Sequence, residues 1–193
     1  MSNFKLTGVA CTDVARAKGS NPEAIQFRRN NFMAGLERLG RRDKKSRLVR
    51  KLSMACPAIP TCPLAITESE RALPGMIDQL EHHLAELGLA GDVFTTRMTG
   101  CPNGCARPYN SDIGLVGKAK GKYTVFLGGR RQGDRLNFIY QDMVPTEEVV
   151  PRLANVFRYF RDERKPGEAF GDFCHRKGKD DLLAHCELPA EVV

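Results

Sequence analysis

The sequence predicts an α+β domain, a mixed β-sheet with helices packed on it. Three observations carry this. An apolar repeat at helical spacing, Leu73, Ile77, Leu80, Leu84 and Leu87, runs into the strand-like stretch Val93 to Met98, as a βαβ unit would. Three short apolar runs follow, over 113–117, 123–127 and 136–140, separated by turn residues. A last helical repeat, Val149, Val150, Leu153, Phe157 and Phe160, closes the pattern.

The elements read in order as follows. Residues 1–20 carry no firm period. Asn21, Pro22 and Glu23 mark a helix start, and Ile25, Phe32, Leu36 and Leu39 share its apolar face before Gly40 stops it. The basic run from Arg41 to Arg50 reads as an exposed connector. Residues 54–63, MACPAIPTCP, are excluded from regular helix because Pro57, Pro60 and Pro63 remove donors and fix φ. Thr67 with Glu70 forms a capping box that opens the long helix, and Gly88 ends it. Pro74 and Gly75 are expected to bend that helix near its start. Gly128, Gly129 and Gly133 lie in the turn between the last two strands. Thr146 opens the closing helix, whose start Pro151 makes irregular. The polar tail after Lys165 has Phe170 and Phe173 as anchors. The expected organisation is an N-terminal segment over 1–45, a main domain over 46–178, and a tail over 179–193.

The length of 193 residues is enough for one sizeable core, and the 41% apolar and 27% charged fractions are those of a globular chain. No run approaches the length of a membrane span. The opening residues MSNFKLTGVACTD have a short, interrupted apolar core and no cleavage site, so no secretory signal is expected. The net charge is +7. It fits a solvated basic surface, nucleic-acid binding, or attraction to an acidic protein or a polycarboxylate cofactor. No zinc-finger spacing, RNP pattern or basic strip interleaved with aromatics supports the nucleic-acid reading.

Seven cysteines are present: Cys11, Cys56, Cys62, Cys101, Cys105, Cys174 and Cys186. An odd count in a chain of this size fits a reducing, cytoplasmic compartment, where clustered thiols mean metal or redox chemistry. Cys56 and Cys62 form a C-x5-C pair, 38 residues precede the next cysteine, and Cys101 and Cys105 form a C-x3-C pair. Four thiolates can hold an iron–sulfur cube, and loops this wide reach different irons. Gly100 and Gly104 allow close backbone approach, so that N–H groups can point at the sulfurs. Structural zinc uses shorter knuckles as a rule, yet spacing alone leaves zinc and unrelated buried thiols open. Cys11, Cys174 and Cys186 lack paired spacing and read as ordinary thiols.

The segments CPAIPTCPLAITESER (56–71) and RMTGCPNGCARPYNSDIGLVG (97–117) closely resemble the cluster-binding segments of siroheme-containing assimilatory sulfite reductases. YTVFLGG (123–129) and FGDFCHRKG (170–178) resemble the end of the same family, so the likeness runs from about Ser46 to about Gly178. The ARPY continuation sets the chain apart from related nitrite reductases, and PLAITESER looks more like ferredoxin-dependent members than like those served by a flavoprotein subunit.

The resemblance implies that Cys56, Cys62, Cys101 and Cys105 ligate a [4Fe–4S] cluster. It makes Cys105 the bridging thiolate that also binds the siroheme iron axially. Asn103 lies in the bridging loop, where it either shapes the loop near the heme or serves as a plain turn residue. Arg97, Arg107 and the 41–50 run are candidates for the siroheme carboxylates, which bidentate arginine suits best. The implied reaction is the six-electron reduction of sulfite to sulfide, with an acidic ferredoxin or a flavoprotein subunit as donor. Family members are several times longer, and residues 1–45 do not resemble the family. The expectation is therefore a C-terminal fragment, a truncated gene product, or one piece of a split enzyme with a separate N-terminal half, in each case with little or no sulfite reductase activity alone. The competing expectations are a non-catalytic electron-transfer module and a structural zinc protein.

Overall fold

The structure, a computed structural model, describes residues 48–186. The helix expected over 21–40, most of the 41–50 basic run and Cys11 lie outside these residues. A short helix, α1 (Leu48–Lys51), leads to strand β1 (Ser53–Ala55); the long helix α2 (Leu73–Glu86) then carries the chain to β2 (Thr96–Thr99). A 3-10 turn (Pro108–Asn110) precedes β3 (Ile113–Ala119), β4 (Lys122–Leu127) and β5 (Phe138–Pro145). Helices α3 (Thr146–Glu163) and α4 (Phe170–Cys186) complete the fold.

The five strands lie in the order β1-β2-β3-β4-β5. The first three are parallel and the rest antiparallel, so the sheet is mixed, as expected. The pleat decides which side chains meet the helices. Met98, Ile113, Leu115, Tyr123, Val125 and Leu127 enter the core with Leu73, Ile77, Leu80 and Leu84 of α2 and Val149, Leu153, Phe157 and Phe160 of α3. Burying each large apolar side chain contributes about 2 kcal/mol. Phe170 and Phe173 of α4 insert among Phe157, Phe160 and Phe94, with ring centroids 4.6–5.6 Å apart. Residues of the intervening register, Met54 and Ile139, stay exposed on the other face.

Three local expectations change. The capping box does not form: α2 starts at Leu73 with no side-chain cap, and Pro74 and Gly75 fall in its first turn, where a missing N–H costs nothing. The Thr67 hydroxyl instead accepts a hydrogen bond from the Gly121 N–H at 3.0 Å. The first strand of the βαβ unit is only Ser53–Ala55, too short for alternation to register. The tail expected after Lys165 is helical from Phe170, broken at Gly178 where φ is 78°. Its two phenylalanines are the anchors the sequence marked. Pro151 sits inside α3, where it removes one backbone hydrogen bond while the helix continues.

Candidate functional site

Parallel pairing of β1 with β2 sends the chain out of the sheet twice at the same end, at its edge. Cys56 follows β1 directly, and Cys101 follows β2 after one glycine. The two cysteine loops are therefore neighbours because of strand register, although 38 residues separate the pairs in sequence.

Backbone bonds lock the loops together. The Cys56 N–H donates to the Met98 carbonyl at 3.1 Å. The N–H groups of Ile66 and Thr67 both donate to the Gly100 carbonyl, at 2.9 and 3.1 Å. The Ser69 hydroxyl, fully buried, donates to the Met98 carbonyl at 2.8 Å. In return the Gly100 N–H points at the Cys56 sulfur at 3.3 Å. Such a bond stabilises a thiolate and tunes a metal bound to it.

The four thiols differ in exposure. Cys101 is buried, Cys56 and Cys62 are half-buried, and Cys105 is exposed. Among the described residues, no three His, Cys, Asp or Glu side chains converge closely enough to share a single ion. A cube that offers one iron to each thiolate requires no such convergence, and the donor set, four free thiols with an N–H aimed at one of them, is what it uses. Both loops hold a non-glycine residue at positive φ, Ala58 at 52° and Arg107 at 54°.

Beyond Cys105 the loop turns back over the open face of the sheet. Tyr109 donates its hydroxyl proton to the Pro102 carbonyl at 2.8 Å. Burial pushes that hydroxyl above its ordinary range, and the charge of Cys101 adds to the effect. Arg97, on β2, donates to the Asn110 side chain at 2.7 Å and to the Arg107 carbonyl at 3.3 Å. Its Nε is buried without a partner. Burial holds its guanidinium below the usual arginine range, and the charges of Arg107 and Arg131 push the same way. Among the described residues none of these three arginines has a carboxylate within ion-pair distance, while the charge of Asp112 acts on Arg97 in the opposite sense. Asn103 is exposed in the turn, and its side chain takes no partner among the described residues.

Sequence reasoning singled out the four cysteines, Asn103, Arg97 and Arg107. It did not single out Ser69, Tyr109, Arg131 or Gly117. Gly117 lies against the Gly100 carbonyl, where a Cβ would collide. Only the fold brings it there. Cys174 and Cys186 lie in the helical core. Burial holds the Cys174 thiol well above its ordinary pKa and pushes Cys186 up to about 11.

Comparison with known proteins completes the description of the site. A family model described as the nitrite and sulphite reductase 4Fe-4S domain matches residues 49–193. The chain is 53% identical over 135 residues to the NADPH sulfite reductase hemoprotein beta-component of Acidithiobacillus ferrooxidans, covering 70% of this chain and 23% of that protein. It is 48% identical over 139 residues to the ferredoxin sulfite reductase of Synechococcus elongatus, covering 72% and 22%. The solved structure of the Mycobacterium tuberculosis NirA protein superposes with a TM-score of 0.67 at 28% identity, over 84% of this chain and 31% of that one. The chain thus spans about a quarter of the length of the curated relatives it matches.

Proposed function

This chain belongs to the nitrite and sulphite reductase family, and from that premise we propose that Cys56, Cys62, Cys101 and Cys105 hold a [4Fe–4S] cluster, with Cys105 also the axial ligand of a siroheme iron. The observation that carries the reading is the locked pair of cysteine loops at the ends of β1 and β2. When bound, the two groups supply single electrons to sulfite, six for each sulfide formed.

The chain's own residues have separable tasks in this reading. Gly100 holds the Cys56 sulfur through its N–H and the first loop through its carbonyl. Buried Cys101 anchors the second loop, while exposed Cys105 would be the thiol open to a second group. Arg97, Arg107 and Arg131 supply the positive charge that the siroheme carboxylates require. Asn103 shapes the bridging turn between Cys101 and Cys105.

The activity to which this site contributes is reduction of sulfite to sulfide in sulfur assimilation. We assign an acidic ferredoxin as the donor, in keeping with the net charge of +7; relatives of this chain are named for NADPH as well as for ferredoxin.

The test is a visible spectrum with iron, sulfide and zinc analysis of anaerobically purified chain, alone and loaded with siroheme. Four irons per chain alone and five with siroheme bound, with heme bands altered by the cluster, are expected. Replacing Cys105 by Ser should abolish that alteration; unchanged coupled bands would overturn the bridging role. Iron–sulfur absorption without heme uptake would reduce the reading to an electron-transfer module. A colourless zinc protein would sink it altogether.

A further inference from the structure

Tyr109 connects the second cysteine loop to the sheet, and neither the ligand set nor the arginine cluster accounts for it. Its hydroxyl donates to the Pro102 carbonyl, one residue after Cys101. Its ring lies directly against Gly104, one residue before Cys105: a Cβ built on Gly104 would stand 2.7 Å from the ring carbon Cε2. The other edge of the ring meets Phe126 of β4, centroid to centroid 5.3 Å at 85°. Its carbonyl accepts the Asn137 N–H at 2.8 Å, next to β5. One side chain thus touches the loop beside each of its cysteines and rests on the neighbouring antiparallel strand.

Nothing else among the described residues does this. The first cysteine loop is held by five backbone or side-chain bonds to the Met98–Gly100 segment. Inside the second loop, the one backbone bond from beyond Cys105 is that of Arg107 N–H to the Gly104 carbonyl at 2.8 Å, which closes a turn and does not reach the sheet. Without Tyr109, the turn carrying Cys105 would be tied to the rest of the domain only from beyond the cysteine, through Arg97, which bonds the Arg107 carbonyl at 3.3 Å, and Asn137 and Ser111, which bond the Pro108 carbonyl at 2.6 and 2.7 Å.

We propose that Tyr109 is the positioning residue of the Cys101–Cys105 loop, its hydroxyl fixing the Cys101 side and its ring fixing the Cys105 side. Tyr109 touches no reacting atom. It acts by holding two thiols at the spacing the centre needs. The inference rests on Cys101 and Cys105 as ligands, but its first readout does not require a cluster.

In the full-length apo chain, the rate at which a small alkylating reagent modifies buried Cys101 reports how often the loop opens. Tyr109→Phe keeps the ring and removes one hydrogen bond, so that rate should rise about fivefold, the factor set by the net worth of a single hydrogen bond. Tyr109→Ala also removes the ring contacts and should raise it further. Tyr159→Phe is the control. It removes a hydroxyl that bonds Asp181 at 2.7 Å and receives Lys177 at 2.6 Å between α3 and α4. It should lower thermal stability without changing Cys101 alkylation.

After cluster reconstitution, iron loss to a chelator should accelerate in the same order, Phe then Ala at position 109. Unchanged Cys101 alkylation in Tyr109→Phe, or an equal rise in Tyr159→Phe, would overturn the proposal. If the wild-type chain takes up no iron, the cluster assignment fails, while the alkylation series still decides the role of Tyr109.

Discussion

Gly100 is where the two cysteine loops meet, and Gly100→Ala gives the sharpest test of that junction. Its φ is not in the left-handed region, so alanine suffers no conformational strain and the effect is steric. A Cβ there would stand 2.5 Å from the Thr67 carbonyl oxygen and 2.7 Å from the Ala58 Cβ. Both neighbours belong to the first cysteine loop, and backbone cannot rotate away as a flexible side chain can. Overpacking of this kind costs about 1–3 kcal/mol. Moving Thr67 also strains the two hydrogen bonds that the Gly100 carbonyl accepts, each worth about 1 kcal/mol. The expected destabilisation is about 2–4 kcal/mol, concentrated between the two cysteine pairs. The assay is urea unfolding of the apo chain, followed by iron content after reconstitution under identical conditions. Gly75→Ala is the matched control. Nothing lies within 4 Å of its Cβ, in the first turn of α2, so it should be neutral or stabilising by up to about 1 kcal/mol. A Gly100→Ala chain with wild-type unfolding and full iron content would refute the junction.

Three further outcomes follow from the same structure. Asp172, held below the usual carboxylate range by Arg130 and then Arg135, contributes stability that is present above its unfolded value near 4 and is lost as pH falls through its depressed folded value; Asp172→Asn should flatten the acid limb of a pH–stability profile. Cys174 and Cys186, raised by burial, should resist alkylation at neutral pH in the native apo chain while Cys105 reacts, as mass spectrometry of the labelled peptides would show. Arg131→Gln removes an exposed like charge that bears on Arg97, so it should raise the melting temperature at low salt and lose that advantage at high salt, and a fall at low salt would contradict the crowding of cations.

Strands β2, β3 and β4, helices α2 and α3 and the mixed sheet were legible because their apolar patterns are long and clean. Leu73 to Leu84 and Val149 to Phe160 each keep one face for several turns, and β3 and β4 are mostly buried apolar runs. What was not legible shares a cause: it depends on contacts distant in sequence. Thr67 and Glu70 have the local spacing of a cap, but the Thr67 hydroxyl is taken by Gly121, 54 residues away. The strand Ser53–Ala55 is recognisable only from its pairing with Thr96–Met98. The segment after Lys165 is too polar on average to read as helix, yet Phe170 and Phe173 find a ready aromatic cluster on α3. At the site, the cysteines were visible as residue type and spacing. Tyr109 was not, since a tyrosine in a turn has no distinguishing pattern until Gly104 and Phe126 are seen against it.

The energetic irregularities of the domain are distributed unevenly, and that unevenness bears on where function resides. Thr96, Arg97 and Thr99, three of the four residues of β2, each hold a buried polar atom without a partner. Among the described residues, two of the three non-glycine residues at positive φ, Ala58 and Arg107, lie in the segments around the cysteines; the third, Met143, lies in β5. Arg97 and Arg107 lie close enough there to repel one another. The helical layer is the reverse. Its aromatic rings interlock, Arg176 pairs with Glu168, Arg164 pairs with Asp92, and Lys177 rests on Tyr159. Unpaired polar atoms and strained backbone persist only where the surrounding structure holds them or a ligand relieves them. A packed helical layer that tolerates such costs elsewhere in the domain is the physical condition for a charged, thiol-rich binding site of the kind proposed at the ends of β1 and β2.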